Sequence, residues 1–159
     1  MNQSSLIAKH FKELYFGGNW TEVNLKESLE GISWQQATTK ISDFNTIAVL
    51  VYHMGYYVSL QLKVMKGGSL KGTDQDSFNC PAIESEQDWQ NLLAKTWQEA
   101  EEYALLTAQL SDERLQEIFV NEKYGTWYRN LVGLNEHAHY HLGQIVLLKK
   151  LLQSGEQAE

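Results

Sequence analysis

Between residues 127 and 152 one set of side chains recurs at alternating steps of four and three: Trp127, Leu131, Leu134, Ala138, His141, Ile145, Leu148 and Leu152. This is the apolar stripe of an amphipathic helix and matches no period-two alternation. The segment has no internal proline and runs far past ordinary strand length. It also carries three histidines, His137, His139 and His141. A strand would put all three rings on one face. At about 100° per residue, a helix keeps only His137 and His141 together, one turn apart, and swings His139 to roughly the opposite side. Two imidazoles so spaced can chelate one divalent ion.

Two histidines hold a metal poorly, so a third donor is expected from another helix. His53 and His10 are the other histidines. His53 lies in a second segment of three-four rhythm, Ile47, Leu50, Met54, Tyr57, Gln61 and Val64, and borders its stripe. It is the expected third ligand. His10, beside Phe11 near the chain start, is the more distant candidate.

The same rhythm predicts the remaining elements. Helix one spans about residues 3–16, with Ile7, Phe11 and Leu14 inward and Gly17-Gly18 as its stop. Thr21 to Glu30 forms one short helix, and Ser33-Trp-Gln-Gln36 has the form of a capping box opening another. Helix two runs from about Asp43 to Lys66. Residues 67–84, with Cys80 and the only proline, read as a loop longer than most, either a lid or partner surface or a plain excursion. Ser85 opens helix three, whose seam is Trp89, Leu93, Thr96, Ala100, Tyr103, Thr107 and Leu110. A short helix follows from Ser111 to about Val120, then helix four over 126–153 and a polar tail, 154–159. Four long amphipathic helices without a credible strand predict an all-α, antiparallel four-helix bundle with short extra helices in the connections, occupying residues 1–159 as one domain. In it, helix two must lie beside helix four with His53 level with the His137–His141 turn.

A net charge of −7 argues against nucleic-acid or anionic membrane surfaces as partners, since both need a basic patch. The lone Cys80 has no partner for an intramolecular disulfide or a thiolate cluster, and nothing near it in sequence would activate it as a nucleophile. No basic-then-apolar leader and no run of about 20 apolar residues is present. A cytoplasmic location is the default expectation. Exposed aromatic and leucine faces on long helices suggest a homodimer.

At His53-Met-Gly-Tyr-Tyr and at the helix-four pattern His137-x-x-x-His141-x-Gly143-Gln144-Ile145, the chain resembles the DinB-like family, which is grouped with bacillithiol- and mycothiol-dependent transferases as candidate metalloenzymes. The connection from Trp20 through Leu29 and Gly31-Ile-Ser-Trp-Gln-Gln-Ala is similar to that family's linker, and the resemblance spans roughly residues 1–153. It implies a DinB-like bundle in which His53, His137 and His141 bind a divalent ion, usually zinc or nickel. Where the family often has adjacent histidines before Gly-Gln, this chain has His139-Tyr140-His141, which leaves His139 without a family role.

Three neutral histidines leave an open position on the ion, the arrangement of catalytic sites. There a divalent ion lowers the pKa of water towards ~7 or ionises a thiol. Two reactions on a small-molecule substrate follow, transfer of a low-molecular-weight thiol or hydrolysis, and the resemblance favours the first. Gln144, almost on the His137 stripe, is expected to orient a ligand or else to pack beside Gly143. Glu136 is turned about 100° from His137 and is not expected to be a general base. Tyr56, Tyr57, Tyr124, Trp127 and Tyr140 either line a pocket or belong to the core. The competing readings are a non-catalytic metal- or ligand-binding bundle in stress response and a structural helical dimer with buried histidines.

Overall fold

The computed structural model describes residues 2–156. Its seven α-helices are α1 (Gln3–Phe16), α2 (Leu25–Leu29), α3 (Trp34–Thr38), α4 (Ile47–Met65), α5 (Glu86–Ala108), α6 (Asp112–Gln116) and α7 (Trp127–Glu156), with 3-10 turns at Gln75–Phe78 and Glu122–Tyr124. The described residues form no strand; Ile118 and Thr126 make one isolated bridge. The four long helices, α1, α4, α5 and α7, form the expected all-helical bundle.

Capping side chains set the helix starts. Asn2, Asn24, Thr46, Ser85 and Ser111 each accept a hydrogen bond from a backbone N–H of the first turn. Ser33 and Gln36 form the reciprocal box read from the sequence. Helix α4 begins four residues later than expected because Thr46 supplies its cap, after a turn in which Ser42 takes a positive φ of 49°. Likewise α2 begins only after Asn24, past Glu22 at φ 55°. The helix expected to reach Val120 stops at Gln116. Glu117 is extended and its carbonyl accepts from Trp127 N–H, while Phe119 N–H donates to Gly125, closing a β-like loop in place of more helix. At the far end α7 continues into the predicted tail as far as Glu156, and residues 157–159 lie outside the described residues.

Around the bundle the order of neighbours is α1, α5, α4, α7. Cross-helix contacts give the directions. Ser4 bonds to the Leu110 carbonyl while Phe16 packs on Trp97, so α1 and α5 are antiparallel. His53 faces His137 while Gln61 donates to the Asn130 carbonyl, so α4 and α7 are antiparallel too. Ser59 donates to Glu99 and Gln61 accepts from Tyr103, which makes α4 and α5 parallel, and α1 and α7 therefore run parallel as well.

That refinement of the antiparallel expectation explains the long connection between α4 and α5. A chain leaving the end of α4 must travel back along the whole helix, about 28 Å for its 19 residues, before α5 can start in the same direction. It does so pressed against α4. Gly72 lies against Tyr56, where an added Cβ would collide with the phenol oxygen. Asp74 then meets Tyr57, Ser77 meets His53, and the Cys80 thiol reaches the Ala48 carbonyl. The connection is thus a strap over the face of α4 that carries His53.

The core is apolar and continuous. Phe11, Leu14, Val51, Trp89, Tyr103, Leu131 and Ile145 are at most 1 % exposed. The seam predicted for α7 is buried from Trp127 to Leu148. On α4 the buried line continues through Val58 and Leu62, with Tyr57, Gln61 and Val64 only half-buried, so His53 lies within the stripe and not at its border. Trp89 donates its indole N–H to the Ile32 carbonyl, and Lys149 caps the carbonyls of Ser28 and Glu30, fastening the first connection to the bundle.

Candidate metal centre

Antiparallel packing of α4 on α7 brings His53 level with the turn that carries His137 and His141. The three rings offer ligand atoms that all lie within 4.8 Å of one another. His53 and His141 are 4 % and 7 % exposed and His137 is half-buried. His53 Nε2 is 2.9 Å from His137 Nε2. Two nitrogens each about 2.0–2.1 Å from a shared tetrahedral ion stand roughly 3.3 Å apart, so this pair needs to open by only a few tenths of an ångström to serve as joint ligands.

Hydrogen bonds on the far side of two rings decide which nitrogen faces inward. The Ser77 hydroxyl donates to the Asp74 carbonyl at 2.5 Å, so towards His53 its oxygen is left to accept, and His53 Nδ1–H donates to it at 2.8 Å. His141 Nδ1–H donates to Gln144 Oε1 at 2.7 Å. In both rings the proton is held on Nδ1 and the Nε2 lone pair is free, the arrangement that fixes ligand histidines. His137 Nδ1 is buried without a hydrogen-bond partner, so no bond on the far side of that ring fixes it.

Electrostatics keep the cluster neutral. Burial, reinforced by repulsion from His141, lowers the His53 pKa to about 4, against smaller opposing contributions from Asp74 and Ser77. Burial and repulsion from both other rings bring His137 to about 4. Burial also lowers His141, opposed by its bond to Gln144. At neutral pH all three therefore present lone pairs and no charge, and the donor set fits a borderline divalent transition ion.

Aromatic side chains wall the centre. Phe78 stacks on His53 with ring centroids 4.1 Å apart. Tyr57 stands edge-on to His53 and His137 and donates its hydroxyl to Asp74 at 2.6 Å, and Tyr140 packs edge-on to His141. Tyr56 adjoins Tyr57. Of the other aromatics read as candidates, Trp127 packs on Phe119 and Tyr124 beneath Lys123, ten or more residues along the chain from His137.

Ser77, Asp74 and Phe78 are site residues that the sequence reading did not single out. They belong to a loop with no periodicity, and only its return path along α4 makes them neighbours of His53. Gln144 contacts the site through His141 and also borders an apolar cleft of about 330 Å³ lined by Phe44, Leu50, Leu147 and Leu151. A larger cleft of about 680 Å³ between α2 and α5 contains no histidine or cysteine and is not part of this centre. Burial pushes the Cys80 thiol up to about 11, away from nucleophilic reactivity. His10 and His139 do not join the cluster; they meet each other between α1 and α7.

An all-helical bundle whose centre brings three neutral imidazoles together defines a class of metal-binding-competent helical proteins. Residues 19–145 match the family model described as the DinB superfamily, and the chain belongs to that superfamily. No curated protein and no solved structure matches it.

Proposed function

We propose that this protein is a divalent-metal-dependent enzyme acting on a small molecule, with His53, His137 and His141 as the metal ligands through their inward nitrogens. The observation that carries the reading is the convergence of three uncharged imidazoles from two helices, two of them held in the ligating tautomer by Ser77 and Gln144. Zinc or nickel suits the all-nitrogen set. When bound, such an ion supplies Lewis acidity towards a small thiol or water, which supports a thiol transferase or a hydrolase.

The chain's own residues position and shield. Phe78 and Tyr57 cover the His53 and His137 rings, limiting water around them. Gln144 sits between His141 and the apolar cleft, and its remaining amide N–H₂ can donate to a polar group of a substrate whose apolar part fills that cleft. Because the cleft is lined by Leu50, Leu147 and Leu151, the favoured substrates combine a reactive polar group with an apolar one.

Elemental analysis of protein purified without a histidine tag tests the metal. Turnover of electrophiles with low-molecular-weight thiols, set against ester and amide hydrolysis without thiol, tests the reaction. Absence of metal from the wild type, or metal retained in full by His141→Ala and His53→Ala, overturns the reading.

A further inference from the structure

The parallel packing of α1 on α7 creates a second histidine cluster on another face of the bundle. His10 from α1 and His139 from α7 meet with ring centroids 5.4 Å apart. Imidazoles sharing one tetrahedral ion have centroids roughly 5–6 Å apart, given metal–nitrogen bonds of about 2.0–2.1 Å. The rings of the first centre stand at 4.5–4.8 Å.

His139 Nδ1–H donates to the Asn135 carbonyl at 3.0 Å, which leaves its Nε2 lone pair free. Two carboxylates and one ammonium line the same cleft, of about 500 Å³: Glu13, three residues after His10 and ion-paired with Lys9 at 3.6 Å, and Glu136, three residues before His139. Residues three apart are neighbours on a helix face, so each carboxylate can reach towards the imidazole of its own helix. Because α1 and α7 run the same way, Glu13 lies one turn to one side of the histidine pair and Glu136 one turn to the other.

A second observation points to a ligand. Asn135, one turn before His139, lines the cleft at only 6 % exposure, and its side-chain oxygen has no hydrogen-bond partner. A buried amide oxygen without a partner is costly unless something satisfies it. A cation, or water on a cation, is the ligand that such an oxygen, two imidazoles and two carboxylates share as a preference.

We propose that the α1–α7 cleft is a second divalent transition-metal site, with His10 and His139 as nitrogen donors and Glu136 and Glu13 as the oxygen donors. Its ion joins α1 to α7 and is more open to solvent than the first centre, because His10 and Glu136 are exposed. It exchanges faster and binds more weakly than the ion proposed for the three-histidine centre.

The test is a calorimetric titration of the tag-free full chain with zinc alone, with bound metal counted by elemental analysis. The wild type is expected to take two equivalents, the weaker one losing at least about tenfold in affinity in His10→Ala and again in His139→Ala, and both equivalents unchanged in a His-free surface control such as Lys123→Ala. His10 is exposed and lies on α1, so its replacement leaves both the core and the first centre untouched. Persistence of every wild-type equivalent in His10→Ala overturns the site. A lone equivalent that survives His141→Ala and disappears in His10→Ala upholds it while sinking the catalytic reading of the other centre.

Discussion

His53 and His137 are 84 residues apart in the chain, yet their Nε2 atoms stand 2.9 Å apart. Since Ser77 holds the His53 proton on Nδ1, His53 Nε2 can only accept, and the gap must contain either a proton carried by His137 or a cation. The two occupants compete, and the low proton affinity of these buried rings favours the cation.

Ser77→Ala removes the acceptor for His53 Nδ1–H and frees that ring to turn. Metal affinity, measured by competition with a chromophoric chelator, should fall by about 10–100-fold with the helical content unchanged. Gln144→Ala acts the same way through His141, whereas Gln144→Glu keeps an acceptor there and should retain most of the affinity. Equal affinity in Ser77→Ala and the wild type would show that the strap does not fix the ligand.

In metal-free protein the depressed histidine pKa values make folding depend on pH. The unfolded chain takes up protons at His53 and His137 as pH falls through about 6.5, while the folded chain resists until about 4. The unfolded state therefore holds more protons across that window, and stability present above pH 6.5 is lost as pH falls towards 4, at up to about 2.7 kcal/mol per pH unit for two groups. Thermal melting from pH 8 to 4.5 should be flat at first and then drop steeply below 6.5. His53→Gln should flatten the drop.

The core predicts a conventional cost. Leu131→Ala empties a fully buried position under α7 and should destabilise the fold by about 2–5 kcal/mol in denaturant titration. Trp89→Phe leaves the Ile32 carbonyl without its buried donor and should cost about 1–3 kcal/mol, with the region around α3 becoming the more readily cleaved by protease.

Cys80 is raised to about 11 by burial, so its thiolate is scarce at neutral pH. Alkylation by iodoacetamide at pH 7.5 should proceed at least about tenfold slower in the native protein than in urea. A native rate matching the unfolded one would mean that the strap opens freely from α4.

Much of the fold was legible because its signals are local. The seam from Trp127 to Leu148, the Ser33–Gln36 box and the Ser85 cap each lie within a few turns of chain, and each is found where the residues predict. The helix starts at Thr46 and Asn24 are not legible locally, because two residues with positive φ, Ser42 and Glu22, break the rhythm without glycine. The helix does not extend beyond Gln116 because Ile118, Phe119 and Val120 are β-branched and aromatic residues that suit a short extended, hairpin-like loop equally well, and a distant N–H, that of Trp127, decides between them.

By itself the sequence determined where the four long helices lie, which of their faces are apolar, and that His137 and His141 share one side of a helix, since a period of 3.6 residues is a property of the chain alone. Only the tertiary structure decided that α4 and α5 run parallel, because direction is set by which stripes bury each other and not by any one stripe. From that direction follows the strap, and from the strap the meeting of Ser77 with His53 and of Asp74 with Tyr57. The parallel run of α1 and α7 likewise placed His10 beside His139, a pairing far apart in sequence that no local pattern encodes.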